Sequence, residues 1–358
     1  MEIGERLARL TLELVRVPSV YGDEARLCDL LEQWGREVFG ASALRRIGNA
    51  LVCGWPAEGR PTVALVGHLD TVPPHEADPP PRIDGGRVVG LGASDMKSGI
   101  AVALTLAEDL DLEALPFGLM LVLYDKEEGP HEESGLLPVL DSCPDLTQVD
   151  LAIVQEPTDG VLQVGCVGSI HATLTFRGRS AHSARPWHGE NAIHKAGALL
   201  AELEGRAPEE REVGGHCYRE VFSVTQAQGG RYRNVVPDQF TLNLNYRFAP
   251  GRSLAEAKAQ VEALVAGRAE IQYTDLAPAG AVPAGEPLFE HFVSTTGLEV
   301  APKQAWTDVA RLSEAGIPAV NFGPGLTAQA HQAGEYCEIA QLTRCYQALR
   351  RFLETPLP

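Results

Sequence analysis

Three short apolar runs constrain this chain more than anything else in it: Thr62 to Gly67, Phe117 to Leu123 and Val149 to Val154 are unalternating and bounded by turns. A strand with one wet face alternates apolar and polar residues, so continuous runs of this length predict strands buried on both faces. Such strands belong to a mixed, mostly parallel α/β sheet flanked by helices. Helical spacing supplies the flanks. Ile3, Leu7, Leu10 and Leu14 recur until Pro18, then Leu27, Leu30, Leu31, Trp34 and Val38 follow the Gly22-Asp23 turn. Further helix-like stretches begin near Lys97 and Gly135.

Near Gly165 the pattern changes. Ile170, Ala172, Leu174 and Phe176 alternate with polar neighbours, as do Phe240, Leu242, Leu244, Tyr246 and Phe248, which predicts strands with one covered face. Helical patterns lie between them, Asn191 to Leu203, and after them, Leu254 to Val265. This order predicts a smaller α+β domain of the split βαβ kind. Past the Pro/Gly/Ala-rich stretch from Ala277 to Pro287 the buried-strand style returns at Ala319 to Phe322, followed by a helix from about Ile339 to Leu353. The expectation is a discontinuous larger domain, residues 1–165 and 278–358, carrying an inserted domain at residues 166–277.

Composition excludes several functions. With 30 Lys plus Arg against 48 Asp plus Glu the net charge is −18, a poor match for nucleic acid. No apolar run approaches the roughly 18 to 20 residues a bilayer span needs. The 7 cysteines are scattered without a C-x-x-C pair, as free thiols of a reducing compartment would be. The opening MEIGERLARL has acids and no apolar core of a signal peptide, so the expected address is the cytoplasm.

The chemistry is written at the ends of the buried runs. His68 closes TVALVGH, Glu127 and Glu128 close LMLVLYDKEE, and Glu156 closes VDLAIVQE. Ligands of open α/β sheets bind beyond the carboxyl ends of strands, so these side chains are expected in one crevice. Gathering so many anions there is costly unless a cation offsets them. Asp95, in the glycine-rich turn GLGASDMKSG, and His331, in QAHQAGE, complete the candidate set. His68, Asp95, Glu128, Glu156 and His331 are too many for one tetrahedral zinc and suit two metals bridged by Asp95. Imidazole and carboxylate without thiolate favour zinc, then cobalt or manganese. Asp70, two residues past His68, is placed to orient its imidazole, and Glu127, beside a ligand, is the candidate general base. His75, His131, His188, His194, His216 and His291 lack such a context and read as structural or exposed. GLGASD has Asp95 where a dinucleotide fingerprint has its third glycine, and neither a P-loop nor a G-x-S-x-G elbow is present.

In order, GHLDTVP, GASDMKSG, DKEEGP, QEPT, GRSAHSARPW, NVVPD, NYRFAP, WTDVARL and NFGPG followed by AH resemble the M20 family of two-zinc aminoacylases and peptidases over essentially the whole chain. The resemblance implies His68 and Glu156 on one metal, Glu128 and His331 on the other, Asp95 between them and Glu127 as general base. It further implies a small-molecule N-acyl amino acid as substrate, and a homodimer built through the smaller domain. In that dimer His182 reaches into the partner's site to stabilise the oxyanion. Substrate carboxylates would fall on Asn234, Arg247 and the loop Gly323 to Gly325, with Arg185 and Asp308 as further contacts. Arg247 has a physical case of its own, because it lies on the polar face of an alternating strand and guanidinium grips carboxylate bidentately.

Overall fold

The computed structural model describes residues 2–358, which divide into two compact units. One comprises residues 2–165, Ala281–Lys303 and Thr307–Pro358; the other comprises Cys166–Gly280 with Gln304–Trp306. The last three residues join the smaller unit through their own hydrogen bonds. Arg219 N donates to Gln304 Oε1 at 3.0 Å, Gln304 Nε2 donates back to Arg219 O at 3.1 Å, and Trp306 Nε1 donates to Pro278 O at 3.0 Å.

The larger unit is built on an eight-stranded sheet. In spatial order its strands are Leu44–Ile47, Ala50–Cys53, Gly118–Tyr124, Thr62–His68, Leu151–Pro157, Ala319–Gly323, Leu162–Val164 and Val300–Pro302. Thr62–His68 pairs in parallel with Gly118–Tyr124 and Leu151–Pro157, and Leu151–Pro157 pairs in parallel with Ala319–Gly323. Every residue of these four central strands is buried, which is why their sequences carry no alternation. At one side the sheet turns antiparallel, through Ala50–Cys53 and Leu44–Ile47. Helices Ile3–Val15, Ala25–Val38, Lys97–Asp109 and Ile339–Glu354 contribute the apolar stripes of the core, with Leu7, Leu27, Leu31, Ile100, Leu104, Leu349 and Phe352 at its centre. Lys97–Asp109 is buried from Lys97 through Ala107 and lies close to the sheet. A Cβ at Gly99 would stand 2.5 Å from Gln155 O, so only glycine lets this helix approach the strand that ends in Glu156. A small separate sheet pairs Tyr336–Glu338 with Arg87–Val89, and Arg87–Val89 with Arg82–Asp84.

In the smaller unit a five-stranded antiparallel sheet runs Glu209–Val213, His216–Gly229, Gln239–Phe248, Gly168–Arg177 and Glu270–Ala277. Helices Ala192–Glu204 and Leu254–Val265 pack on its apolar face, burying Ile170, Leu174, Leu242 and Leu244 with Leu199 and Val261. Asn191 caps the first helix and a Ser253–Glu256 capping box starts the second. The long strand His216–Gly229 has no clean alternation in sequence. Most of its length is exposed or half-buried, and a register shift between Val224 and Gln226 breaks the period. Among the described residues no helix is long and apolar enough to cross a membrane.

Candidate metal centre

The parallel register brings the acids and histidines to one edge of the sheet. His68 is the last residue of its strand and lies level with Tyr124, the last of the neighbouring one, while Glu156 lies near the end of the strand on the other side. Glu127 and Glu128 stand in the loop just past Tyr124, and Asp95 precedes the helix Lys97–Asp109 through a cis Asp95–Met96 peptide. His331, at φ 60°, enters from the loop after Ala319–Gly323.

Three donor groups result, two of which share Asp95. His68, Asp95 and Glu156 form one of that pair and Asp95, Glu128 and His331 the other, while His68, Glu127 and Glu128 form the third, each with its ligand atoms within 4.8 Å of one another. Asp95 divides its oxygens between the two that share it. Oδ1 lies 3.2 Å from His68 Nε2, Oδ2 lies 3.7 Å from His331 Nε2, His68 Nε2 is 3.7 Å from Glu156 Oε1, and His331 Nε2 is 2.9 Å from Glu128 Oε2. Donors around a tetrahedral zinc, each about 2.0 to 2.2 Å from the ion, stand roughly 3.3 Å apart. The observed separations scatter around that value, so the residues fit a pair of metal ions sharing Asp95.

Electrostatics agree with a cation here. Burial, and then Asp95, push the Glu156 carboxyl up to about 7, and burial raises Glu127 well above the carboxylate range, with Glu156, Asp308 and Glu128 adding to it against His68. Burial opposes a charged His68, yet Asp70 and Asp95 hold its imidazole well above the ordinary value. His331 is drawn up to about 9 by its hydrogen bond to Glu128. Protons are therefore held where a dication would bind in their place.

Asp70 is fully buried and has two roles. Its Oδ1 lies 3.5 Å from His68 Nδ1, and its carboxylate accepts the backbone N–H of Glu127 at 3.0 Å and of Glu128 at 2.9 Å. One side chain thus orients a ligand of the first set and anchors the loop that carries a ligand of the second together with Glu127. Tyr124 donates to Asp308, Arg311 pairs with Asp308, and Arg311 Nη2 donates to His131 O at 2.7 Å, steadying the far end of the same loop. Asp308, expected as a substrate contact, is fully buried, with one carboxylate oxygen bonded to Tyr124 and the other to Arg311.

Gly323 and Gly325 are explained by close approach. A Cβ on Gly323 would lie 2.1 Å from Gln155 O, and one on Gly325, at φ 101°, would lie 2.4 Å from Ser94 Oγ. This loop therefore backs directly onto both the strand of Glu156 and the turn of Asp95. In the smaller unit His182, Arg185 and Asn234 are exposed, and Ser183 N donates to Asn234 O at 2.9 Å. Arg247 is half-buried on the polar sheet face, its Nε donating to Asn245 Oδ1 at 3.1 Å, and burial lowers its pKa.

Sequence reasoning missed Tyr124, Arg311 and Glu335. Tyr124 reads as one more apolar strand residue and Arg311 as a helix-surface charge, and Glu335 binds main-chain amides, which leave no mark in sequence. His75, expected to be structural or exposed, is exposed, with its Nε2 3.2 Å from His331 O.

Residues 64–355 match the sequence profile described as Peptidase family M20/M25/M40. A Mycobacterium tuberculosis protein that carries a provisional succinyl-diaminopimelate desuccinylase name is 40% identical over 347 residues, 96% of this chain and 97% of its own. The succinyl-diaminopimelate desuccinylase of Corynebacterium glutamicum is 36% identical over 362 residues, covering 96% and 95%. Among solved structures, a Staphylococcus aureus tripeptidase superposes with a TM-score of 0.82 at 21% identity, over 98% of each chain. Both the matched span, which starts inside the strand that ends in His68, and relatives aligned along almost the entire length lead to one statement: the chain belongs to peptidase family M20/M25/M40.

Proposed function

We propose that this protein is a two-zinc amidohydrolase that cleaves N-succinyl-LL-2,6-diaminopimelate to succinate and LL-2,6-diaminopimelate. The observation that carries the two-metal reading is the division of Asp95, one oxygen toward His68 and Glu156 and the other toward His331 and Glu128. The desuccinylase names of relatives at 40% and 36% identity support the acyl group.

His68, Asp95 and Glu156 would hold one ion and Asp95, Glu128 and His331 the other, zinc first and cobalt or manganese second by donor type. When bound, such a pair lowers the pKa of a shared water toward about 7 and polarises an amide carbonyl. Glu127, a carboxyl held high in pKa beside both donor sets, accepts the water proton and returns it to the leaving amine, so that the C–N bond breaks to acid and free amine. Asp70 keeps His68 in register and holds the backbone of Glu127 in place. In a homodimer the partner subunit's His182 donates to the oxyanion of the tetrahedral intermediate. Arg247, with Arg185, Asn234 and the amides of Gly323 and Gly325, receives the substrate carboxylates.

The test is amine release from N-succinyl-LL-2,6-diaminopimelate by metal-stripped protein before and after zinc is restored. Zinc-dependent turnover is expected. Silence toward this substrate, with hydrolysis of N-acetylornithine or an acyl-lysine, would move the reading to another deacylase of the family. Silence toward all of them with metal bound would make it a non-catalytic relative.

A further inference from the structure

Glu335 lies four positions beyond His331 and is 2% exposed. Both of its carboxylate oxygens are taken by the backbone of one loop. Oε2 accepts from Gly92 N at 2.7 Å, and Oε1 accepts from Ser94 N at 2.6 Å and Asp95 N at 2.8 Å. Its main-chain carbonyl accepts a fourth N–H of the same loop, from Gly90 at 2.9 Å. The strand Arg87–Val89 has ended and the helix Lys97–Asp109 has not begun, so neither ladder supplies partners for these amides. A side-chain carboxyl that accepts three of them replaces regular secondary structure as the organiser of this turn.

The last of these bonds ends on the N–H of Asp95 itself. It therefore sets the direction in which that side chain leaves the backbone, and so which oxygen faces His68 and which faces His331. The segment that carries Glu335 also carries His331, and it is pinned at a second point, where Asp78 Oδ1 accepts Gly334 N at 2.9 Å. A single short stretch thus delivers the imidazole of one donor set and fixes the residue shared by both. Asp70 does the same for Glu127 and Glu128 through the amides at 3.0 and 2.9 Å. Glu335 belongs to none of the donor groups, and both its oxygens are taken by main-chain N–H groups.

We infer that Glu335 is a positioning residue that clamps the Asp95 loop to the His331 segment, so that the two donor sets assemble as one unit. This rests on the two-metal reading above. Glu335→Gln has the same size, but its amide turns an NH2 group toward backbone N–H donors and breaks part of the cradle. Chelator-stripped protein is titrated with Zn2+ by calorimetry, and with Co2+ followed by visible absorption. Wild type is expected to take up two ions. Glu335→Gln is expected to fold, by circular dichroism, and to bind its second ion about 10- to 100-fold more weakly, the range typical for lost outer support of metal ligands. Its Co2+ spectrum should shift, and kcat should fall while KM holds. Glu335→Asp keeps the charge with a shorter reach and should recover part of the second-ion affinity; it carries the test if Glu335→Gln does not fold. Wild-type affinity and an unchanged Co2+ spectrum in Glu335→Gln would overturn the inference alone. Failure of the wild type to bind a second ion would overturn the two-metal reading and the inference with it.

Discussion

Each carboxylate of the centre has a task set by its surroundings. Asp95 divides its oxygens between two donor sets, Asp70 holds a loop by its amides, and Asp308 is spent on Tyr124 and Arg311. The carboxylate of Glu127 takes part in none of these bonds and lies with His68 and Glu128. Replacing it separates base chemistry from metal binding. Glu127→Gln should lower kcat by about 10² to 10⁴ or more while metal content, measured by atomic emission, stays at the wild-type value. Loss of metal along with activity would make Glu127 a ligand instead.

At the level of elements, the approach of helix Lys97–Asp109 to strand Leu151–Pro157 joins the core to the site. Gly99→Ala would drive a methyl group to 2.5 Å from Gln155 O, and backbone cannot yield as a flexible side chain does. The helix must move away, at a cost of about 1 to 3 kcal/mol, visible as a lower urea midpoint, with weaker metal retention because Glu156 is the next residue along. In the smaller unit, Glu220 joins strand His216–Gly229 to the next strand, Gln239–Phe248, and to the turn that follows that strand. It accepts from Tyr246 OH at 2.8 Å, Ala249 N at 3.0 Å and Arg252 Nε and Nη2 at 3.0 Å each. Burial pushes its carboxyl up, but Arg252, the Ala249 amide and Tyr246 outweigh that and hold the pKa below the ordinary value. A depressed folded pKa means the unfolded chain binds the proton more readily. The stabilisation is therefore complete above the unfolded pKa of about 4.3 and is lost as pH falls through that value toward the lower folded one. Glu220→Gln should cost about 3 to 5 kcal/mol at pH 7, and its deficit against wild type in urea unfolding should shrink steadily below about pH 4.

For the whole molecule, the proposed dimer makes a direct prediction. If His182 serves the partner's site, neither His182→Ala nor Glu127→Gln should turn over alone, but mixed subunits should recover up to about a quarter of wild-type activity, since a hybrid holds one intact site. Light scattering checks the dimer, and energy transfer between separately labelled subunits checks exchange; exchange without recovery would count against His182 acting in the partner's site. The net charge of −18 opposes an anionic substrate only from a distance. Under the proposed function, screening within about 8 Å at physiological salt would leave the local field of the two metal ions and Arg247 to decide binding.

Much of this molecule is legible in one dimension, because burial and periodicity are local. Unalternating runs became the four buried central strands, alternation became the one-faced sheet, and strand-ending His68 and Glu156 sit at the carboxyl edge. What required the tertiary structure is whatever depends on which segments become neighbours. Thr62–His68 lies between Gly118–Tyr124 and Leu151–Pro157, and that order alone sets His68 beside Glu156. Asp308 finds Tyr124, 184 residues away, as a partner that no local pattern announces. Glu335 carries no signal in the sequence, because the amides it meets lie more than 200 residues earlier in the chain. A main-chain N–H is the same in every residue, so sequence encodes the residue types able to build this centre, while the folded backbone decides which donors each carboxylate finds.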